Sequence, residues 1–249
     1  MKIEKPDIRM LVVACALALM AAPCVGTAQE PYGMAQPATP TPPPAPDASA
    51  IKHVNDANVV VQKMLQETHM KELLRQAKGI FIIPTYGQVA VGIGASGGAG
   101  VLLVKRPDGT WSDPAFYNSG GISAGVQVGA EGGAIAFVLN NEKAVNKFMQ
   151  KNAFSLNASA GLTIVNWSKM AEGTAGSGDV VAWADTKGLY GNLVSVGVTD
   201  IRYNQKMTSA YYHQTITVAD ALAGKHTNSN ADTLKQTLAA GPAPAPASR

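Results

Sequence analysis

Glycine set inside runs of strand-forming residues constrains this chain more than any other feature. There are 25 glycines, and most fall between Gly79 and Gly197 among β-branched and apolar neighbours. In the interior of a strand or helix, glycine costs ~0.5–1 kcal/mol against alanine. It is kept where a sheet bends sharply, or where a second backbone or a ligand comes close. The expected class is therefore α+β. A strongly curved, mainly antiparallel glycine-rich β-sheet, barrel-like or folded over, carries an N-terminal amphipathic helix and short C-terminal helices.

The strand signals are local. Ile80-Phe81-Ile82-Ile83 in Gly79–Pro84 reads as a short buried strand, and Val89, Val91 and Ile93 alternate with small residues at period two. Strands over 101–106 and 110–117 flank Pro107-Asp108-Gly109, a hairpin turn in which glycine takes the positive φ. Further strands are expected over 122–129, 135–139, 155–165, 180–184 and 189–199. Before them, Val54, Val59, Met64, Leu65, Leu73 and Leu74 recur at helical spacing and predict one amphipathic helix over 51–77. A helix over 141–151 is expected, then one capped by Thr217 and stopped by Gly224, and a last one capped by Ser229.

The start of the chain reads as a targeting segment. Lys2, Lys5 and Arg9 precede an apolar run from Met10 to Ala22, and Gly26-Thr27-Ala28 offers a cleavage site. Residues 1–28 are read as a signal peptide, 29–50 as a proline-rich flexible linker, 51–240 as the folded domain and 241–249 as a disordered tail. Both cysteines, Cys15 and Cys24, lie in the leader, so lipidation of one of them is the alternative to cleavage after Ala28. The mature domain then has no thiol chemistry. A net charge of +3 with 15% charged residues does not mark a nucleic-acid binder.

Several motifs tempt and fail on context. Gly92-Ile-Gly94-Ala-Ser-Gly97 spells a dinucleotide fingerprint, but strand-like residues follow where a helix is required. Ser96 and Ser123 each sit in a Gly-x-Ser-x-Gly match, with His213 and Asp179 or Asp185 as the partners a serine hydrolase would need. His53, His69, His213 and His226 show no paired metal-ligand spacing, and Glu131, Glu142 and Glu172 are scattered. Asn157-Ala-Ser159 and Asn166-Trp-Ser168 are glycosylation sequons by spelling only.

Taken together, Ala77-Lys78-Gly79-Ile80-Phe81-Ile82-Ile83-Pro84, the glycines from Val91 to Gly100, and Gly109-Thr-Trp111-Ser112-Asp-Pro114-Ala-Phe116 resemble the SYLF family of yeast actin-regulator domains. Gly120-Gly121, Gly125-Val-Gln127-Val-Gly129, Asp185-Thr-Lys187-Gly188-Leu189-Tyr190-Gly191 and Tyr211-Tyr212 extend the resemblance over about residues 54–224. The Trp-Ser-x-Pro-Ala-Phe piece is its most specific part. A departure lies at 171–176, where family members often carry a Gly-Pro turn. The resemblance implies binding of acidic phospholipids or phosphoinositides, with no enzymatic activity and no cofactor. Some eukaryotic members also touch actin, which carries over to an exported bacterial-type protein only in an infection setting.

The expected function is therefore a non-catalytic lipid binder of the bacterial cell envelope, periplasmic or attached to the outer membrane. Its partner is a phospholipid or membrane surface. Charge alone nominates Lys52, Lys63, Lys71, Arg75, Lys78, Lys105 and Arg106 as contacts. Trp111, Pro114 and Phe116 are expected in the core. The alternatives are a structural or interaction module meeting an envelope or host protein and, more remotely, a serine hydrolase.

Overall fold

The computed structural model describes residues 46–174, 176, 178–186, 189 and 198–240, with backbone alone at 46, over 90–93 and 122–130, and at 240. The expected leader, most of the expected linker and the tail lie outside them, as do residues 190–197 of the strand expected at 189–199.

Helix α1 spans Pro46–Met64. Proline suits a first helical turn because its missing N–H has no partner there, and Asp47 meets the positive end of the helix dipole. Ala50, Val54, Ala57, Val61 and Met64 form its buried face at spacings of three and four. The single helix expected over 51–77 is broken. Gln66 and Glu67 donate back only three residues, to Lys63 and Met64, and His69 takes a left-handed φ of 68°. A separate helix α2 then runs Met70–Gln76 and buries Met70 and Leu74.

Two very long strands follow: β1, Gly79–Val104, and β2, Ala115–Leu139. They pair antiparallel from Gly79 opposite Leu139 to Leu102 opposite Ala115, with irregularities at Ile83/Tyr86 and Val91/Ile93. The strands expected separately at 79–84, 89–94 and 101–106 are thus one ladder, as are those at 122–129 and 135–139. Straight, 26 residues at ~3.3 Å each would be about twice as long as a domain of this size is wide. β1 instead turns back on itself. A β-carbon at Gly98 would stand 2.5 Å from the Thr85 carbonyl oxygen, and one at Gly100 would stand 2.7 Å from that of Ile82. Glycine lets the two arms touch backbone to backbone, which is the folded-over sheet expected from the composition.

The hairpin turn forms as its chemistry requires. Gly109 has φ +83° and donates to the Arg106 carbonyl at 2.9 Å, while Asp108 accepts from the Thr110 amide at 2.9 Å. The sheet is completed by β3 (Phe154–Leu156), β4 (Ile164–Asn166), β5 (Val180–Ala184) and β6 (Val198–Tyr203), in the order β3-β6-β2-β5-β4 with β1 also on β2. Among the described residues, only β4 and β5 pair parallel.

The strand expected over 155–165 is interrupted. Asn157 accepts from the Ala160 amide at 2.9 Å, a 3-10 turn covers Ala158–Ala160, and Gly161 takes φ +75°. Leu189, expected in a strand, is helical, and extended structure resumes at Val198. Side-chain caps start the remaining helices: Asn141 for α3 (Glu142–Lys147), Asn166 for α4 (Trp167–Ala171), Asn204 for α5 (Gln205–Tyr212) and Thr217 for α6 (Val218–Leu222). Gly224 lies just past α6 at φ +73°. The last cap is Asn228 rather than Ser229. It opens a 3-10 turn that leads into α7, Asp232–Ala240. α1 packs on β1, α5 and α7, and Phe81, Tyr117, Phe137, Phe148 and Phe154 pack edge-on and stacked in the core. Among the described residues, no helix is long and apolar enough to cross a membrane.

Candidate functional site

Residues 111–116 build a buried joint. Trp111, Ser112, Asp113 and Phe116 are all buried. Ser112 accepts from the Val104 amide at 3.0 Å and donates to the Asp113 carbonyl at 3.0 Å. The Asp113 carboxylate, fully buried, accepts from Lys235 at 3.1 Å, the Asn228 amide at 3.2 Å and Arg106 at 3.5 Å. The Tyr212 hydroxyl donates to the Pro114 carbonyl at 2.8 Å, and Tyr211 packs edge-on against Phe116. Burial pushes the phenol pKa values of Tyr211 and Tyr212 above their usual range, with the Asp113 charge adding to the effect. These are framework contacts, as expected for Trp111, Pro114 and Phe116. The charge at Asp113 and its partner Lys235 were not anticipated, because 122 residues separate them.

The seven cations nominated by charge separate into four settings. Lys52 is engaged by Asp56 on the solvent face of α1 at 2.5 Å. Arg106 belongs to the buried joint, and Lys63 reaches Asp185 at 3.4 Å. Of the remaining four, Arg75, Lys78 and Lys105 converge at the C-terminal end of α2, and Lys71 sits one turn earlier on the helix. Lys71 and Arg75, four apart, share one side of the helix, and Lys78 follows it after the extended Ala77. Lys105 comes in from β1 and donates to the last carbonyls of α2, Leu74 at 3.1 Å and Arg75 at 2.7 Å. Burial first, then the charges of Arg75 and Lys78, push the Lys105 ammonium pKa below its usual value. Arg75 has one carboxylate partner, Glu72 at 2.7 Å, and Lys71 and Lys78 are exposed without an ion pair among the described residues. Four positive charges and one negative give a surface of about +3.

The serine hypothesis loses its geometry. Ser96 pairs with Gly121 and Ser123 with Gly94, both in mid-strand rather than at a strand-to-helix corner. His213 ends α5. The stretch Gly92–Gly97 likewise runs on within β1, with no helix behind it. Asp179 is taken up structurally, accepting from the Thr163 amide and Asn141 at 2.7 Å each and from Lys143 at 3.2 Å. Both sequon asparagines, Asn157 and Asn166, are committed as caps. No group of three metal-binding side chains converges among the described residues.

Two recesses open on the surface. One, about 480 Å³, lies between the diverging arms of β1 and is lined by Gly87–Val89, Ala95–Gly97 and Glu131. The other, about 590 Å³, is lined by Lys63, Gln66 and Glu67 from the end of α1, Ser168 from α4, and Trp183 and Asp185 from β5 and its exit. Sequence reasoning reached Lys63 by its charge alone and missed the recess, whose members come from α1, α4 and β5, far apart in the chain.

Residues 120–241 match the family model Ysc84, described as Las17-binding protein actin regulator. The chain is 30% identical over 158 residues to Protein YSC84 of Saccharomyces cerevisiae, covering 61% of this chain and 33% of that protein. It is 29% identical to the LAS seventeen-binding protein 3 of the same yeast, over 62% of this chain and 34% of the relative. It is 24% identical to the human SH3 domain-containing YSC84-like protein 1, over 61% and 45%. The chain thus spans between a third and a half of these relatives' lengths. No solved structure matches it.

Proposed function

From a chain that belongs to the Ysc84 (SYLF) family, we propose a non-catalytic domain that binds the surface of acidic phospholipid membranes through the cations at the end of α2. The observation that carries this reading is the convergence of Arg75, Lys78 and Lys105 where Lys105 donates to the last α2 carbonyls; burial first, then the charges of Arg75 and Lys78, lower the pKa of the Lys105 ammonium. Like charges gathered with a single carboxylate, Glu72, among them repel one another, and an anionic surface relieves that repulsion. Each Lys or Arg near such a surface contributes ~1 kcal/mol, so Lys71, Arg75 and Lys78 together supply about 3 kcal/mol of attraction. The attraction weakens as salt shortens the Debye length.

Vesicle flotation of the full chain tests the reading. The protein floats with vesicles rich in phosphatidylglycerol or phosphoinositide and not with phosphatidylcholine alone. The double variant Lys71→Gln/Lys78→Gln binds at least ~10-fold more weakly, while Lys52→Gln binds as the parent does. Equal flotation of parent and double variant removes the assignment.

The location belongs to the same proposal. The basic and apolar residues 2–28 support export, to the periplasm or the outer membrane, with either a free N-terminus after Ala28 or a lipid on Cys15 or Cys24. Cell fractionation with intact mass separates these outcomes. A second reading follows from the family description, which speaks of binding Las17: an interaction module whose partner is a protein. Capture of one specific partner by a chain indifferent to lipid favours it.

A further inference from the structure

The recess beneath the end of α1 has a charge pattern of its own. Asp185 is held rigidly at one side. Its Oδ1 accepts from the Ala134 amide at 2.8 Å, and a β-carbon on Gly133 would collide with that same oxygen. The carboxylate is thereby fixed before any ligand arrives, and its Oδ2 faces Lys63. The contact with Lys63 is loose, 3.4 Å, and the lysine side chain is 55% exposed. Glu67 adds a second carboxylate to the lining, which also includes Ser168 and Gln66, whose side-chain amide donates weakly to the Gln62 carbonyl at 3.4 Å. The recess therefore holds two negative charges and one positive charge, the latter weakly engaged. The indole of Trp183 lines it, and the buried Nε1–H has no acceptor among the described residues.

A purely anionic ligand meets two carboxylates here, and a purely cationic one leaves Lys63 displaced and unpaired. A ligand with both charges satisfies both carboxylates and Lys63. Its ammonium replaces Lys63 at Asp185 and also meets Glu67. The freed lysine turns to the ligand's anion, to which Ser168 and Gln66 donate. We propose that this recess binds a zwitterion carrying a primary ammonium and a phosphate, the chemistry of phosphoethanolamine, either free or as a lipid headgroup. The volume suits it, since ligand recesses of ~300–1,000 Å³ hold molecules of this size and larger. The site shares no residue with the cations at the end of α2, so the two assignments stand or fall separately.

Isothermal titration of the full chain tests the proposal with three probes: phosphoethanolamine, inorganic phosphate and ethanolamine. Phosphoethanolamine is expected to bind with a Kd of about 1 mM or tighter, and each half alone at least ~10-fold more weakly. Glu67→Gln, on the exposed side, and Asp185→Asn, which keeps an oxygen for the Ala134 amide, each weaken binding ~10-fold. Lys71→Gln/Lys78→Gln leaves this affinity unchanged, although it weakens flotation with acidic vesicles. Adding phosphatidylethanolamine to phosphatidylcholine vesicles distinguishes the sources: gained flotation, lost in Glu67→Gln, identifies the headgroup, and binding of the soluble compound alone identifies the free molecule. Phosphate binding as tightly as phosphoethanolamine, no binding of phosphoethanolamine in either form, or affinity unmoved in both variants overturns the proposal.

Discussion

Lys105 and Trp111 face each other across the base of the hairpin turn, and the ammonium lies 4.9 Å from the centroid of the indole ring. The same ammonium donates to the carbonyls of Leu74 and Arg75 at the end of α2. One side chain thus ties the short helix to the hairpin. A cation at a helix C-terminus contributes ~0.3–1 kcal/mol, and one over an aromatic ring ~0.5–1 kcal/mol. Lys105→Met keeps the aliphatic stem and loses both. Hydrogen exchange over residues 70–78 is expected to quicken ~5–30-fold, with global stability lowered by only about 1–2 kcal/mol. Unchanged exchange in that segment shows that α2 is held by Met70 and Leu74 alone.

Asp113 carries a heavier demand. Its carboxylate is fully buried against Arg106 and Lys235, whose side chains are about a quarter exposed. Removing one partner of a buried ion pair leaves the others uncompensated, at a cost of ~3–5 kcal/mol. Asp113→Ala is expected to lie at the lower end, about 3 kcal/mol in urea unfolding, because both cations can turn partly to water. Pairing it with Lys235→Met recovers part of the loss. A double variant as unstable as the sum of the two single ones shows that the charges do not couple.

The parts of this fold governed by neighbours in the chain were legible in the sequence. The Pro107-Asp108-Gly109 turn and the Thr217 cap each close within four residues, and both form as expected. The glycines of β1 announced a folded-over sheet because the cost of glycine in a strand needs a reason. What failed was set by tertiary partners or by a cap hidden inside an alternating pattern. Residues 155–165 alternate like a strand, yet Asn157 and Gly161 turn the chain. The candidate cations show the same division. Lys71 and Arg75 share a helix side by spacing alone. The separate settings of Lys63, Lys105 and Arg106 depend on Asp185, the α2 carbonyls and Asp113, which only the folded chain brings near.

The fold-back of β1 makes its glycines unequal. A β-carbon at Gly100 would meet the Ile82 carbonyl oxygen and Phe81 Cε2, both at 2.7 Å, whereas one at Gly87 meets nothing within 4 Å. Forcing extra atoms into a packed contact costs ~1–3 kcal/mol. Gly100→Ala is therefore expected to lower stability by about 2 kcal/mol, a fall in Tm of about 4–8 °C for a domain of this size. Gly87→Ala removes freedom from the unfolded chain and is expected to be neutral or to stabilise by about 0.5 kcal/mol. Equal melting shifts for the two variants contradict the close approach of the arms.

Asp179 gives the acid limb of stability a definite sign. The Thr163 amide first, then Asn141 and Lys143, hold its carboxyl down at about 2, against an ordinary value of 3.8. A depressed carboxylate stabilises the fold fully above the unfolded value and loses that contribution as pH falls through the folded one. The window is therefore about pH 4 down to pH 2. Asp179→Asn keeps an oxygen for the amide of Thr163 but not the charge. It is expected to be less stable than the parent at pH 7, by no more than about 1 kcal/mol because water screens the site. The gap should narrow between pH 4 and pH 2 and close below it. Urea unfolding at stepped pH measures this, and a gap that stays constant across the window assigns the cost of the substitution to lost packing instead of lost charge.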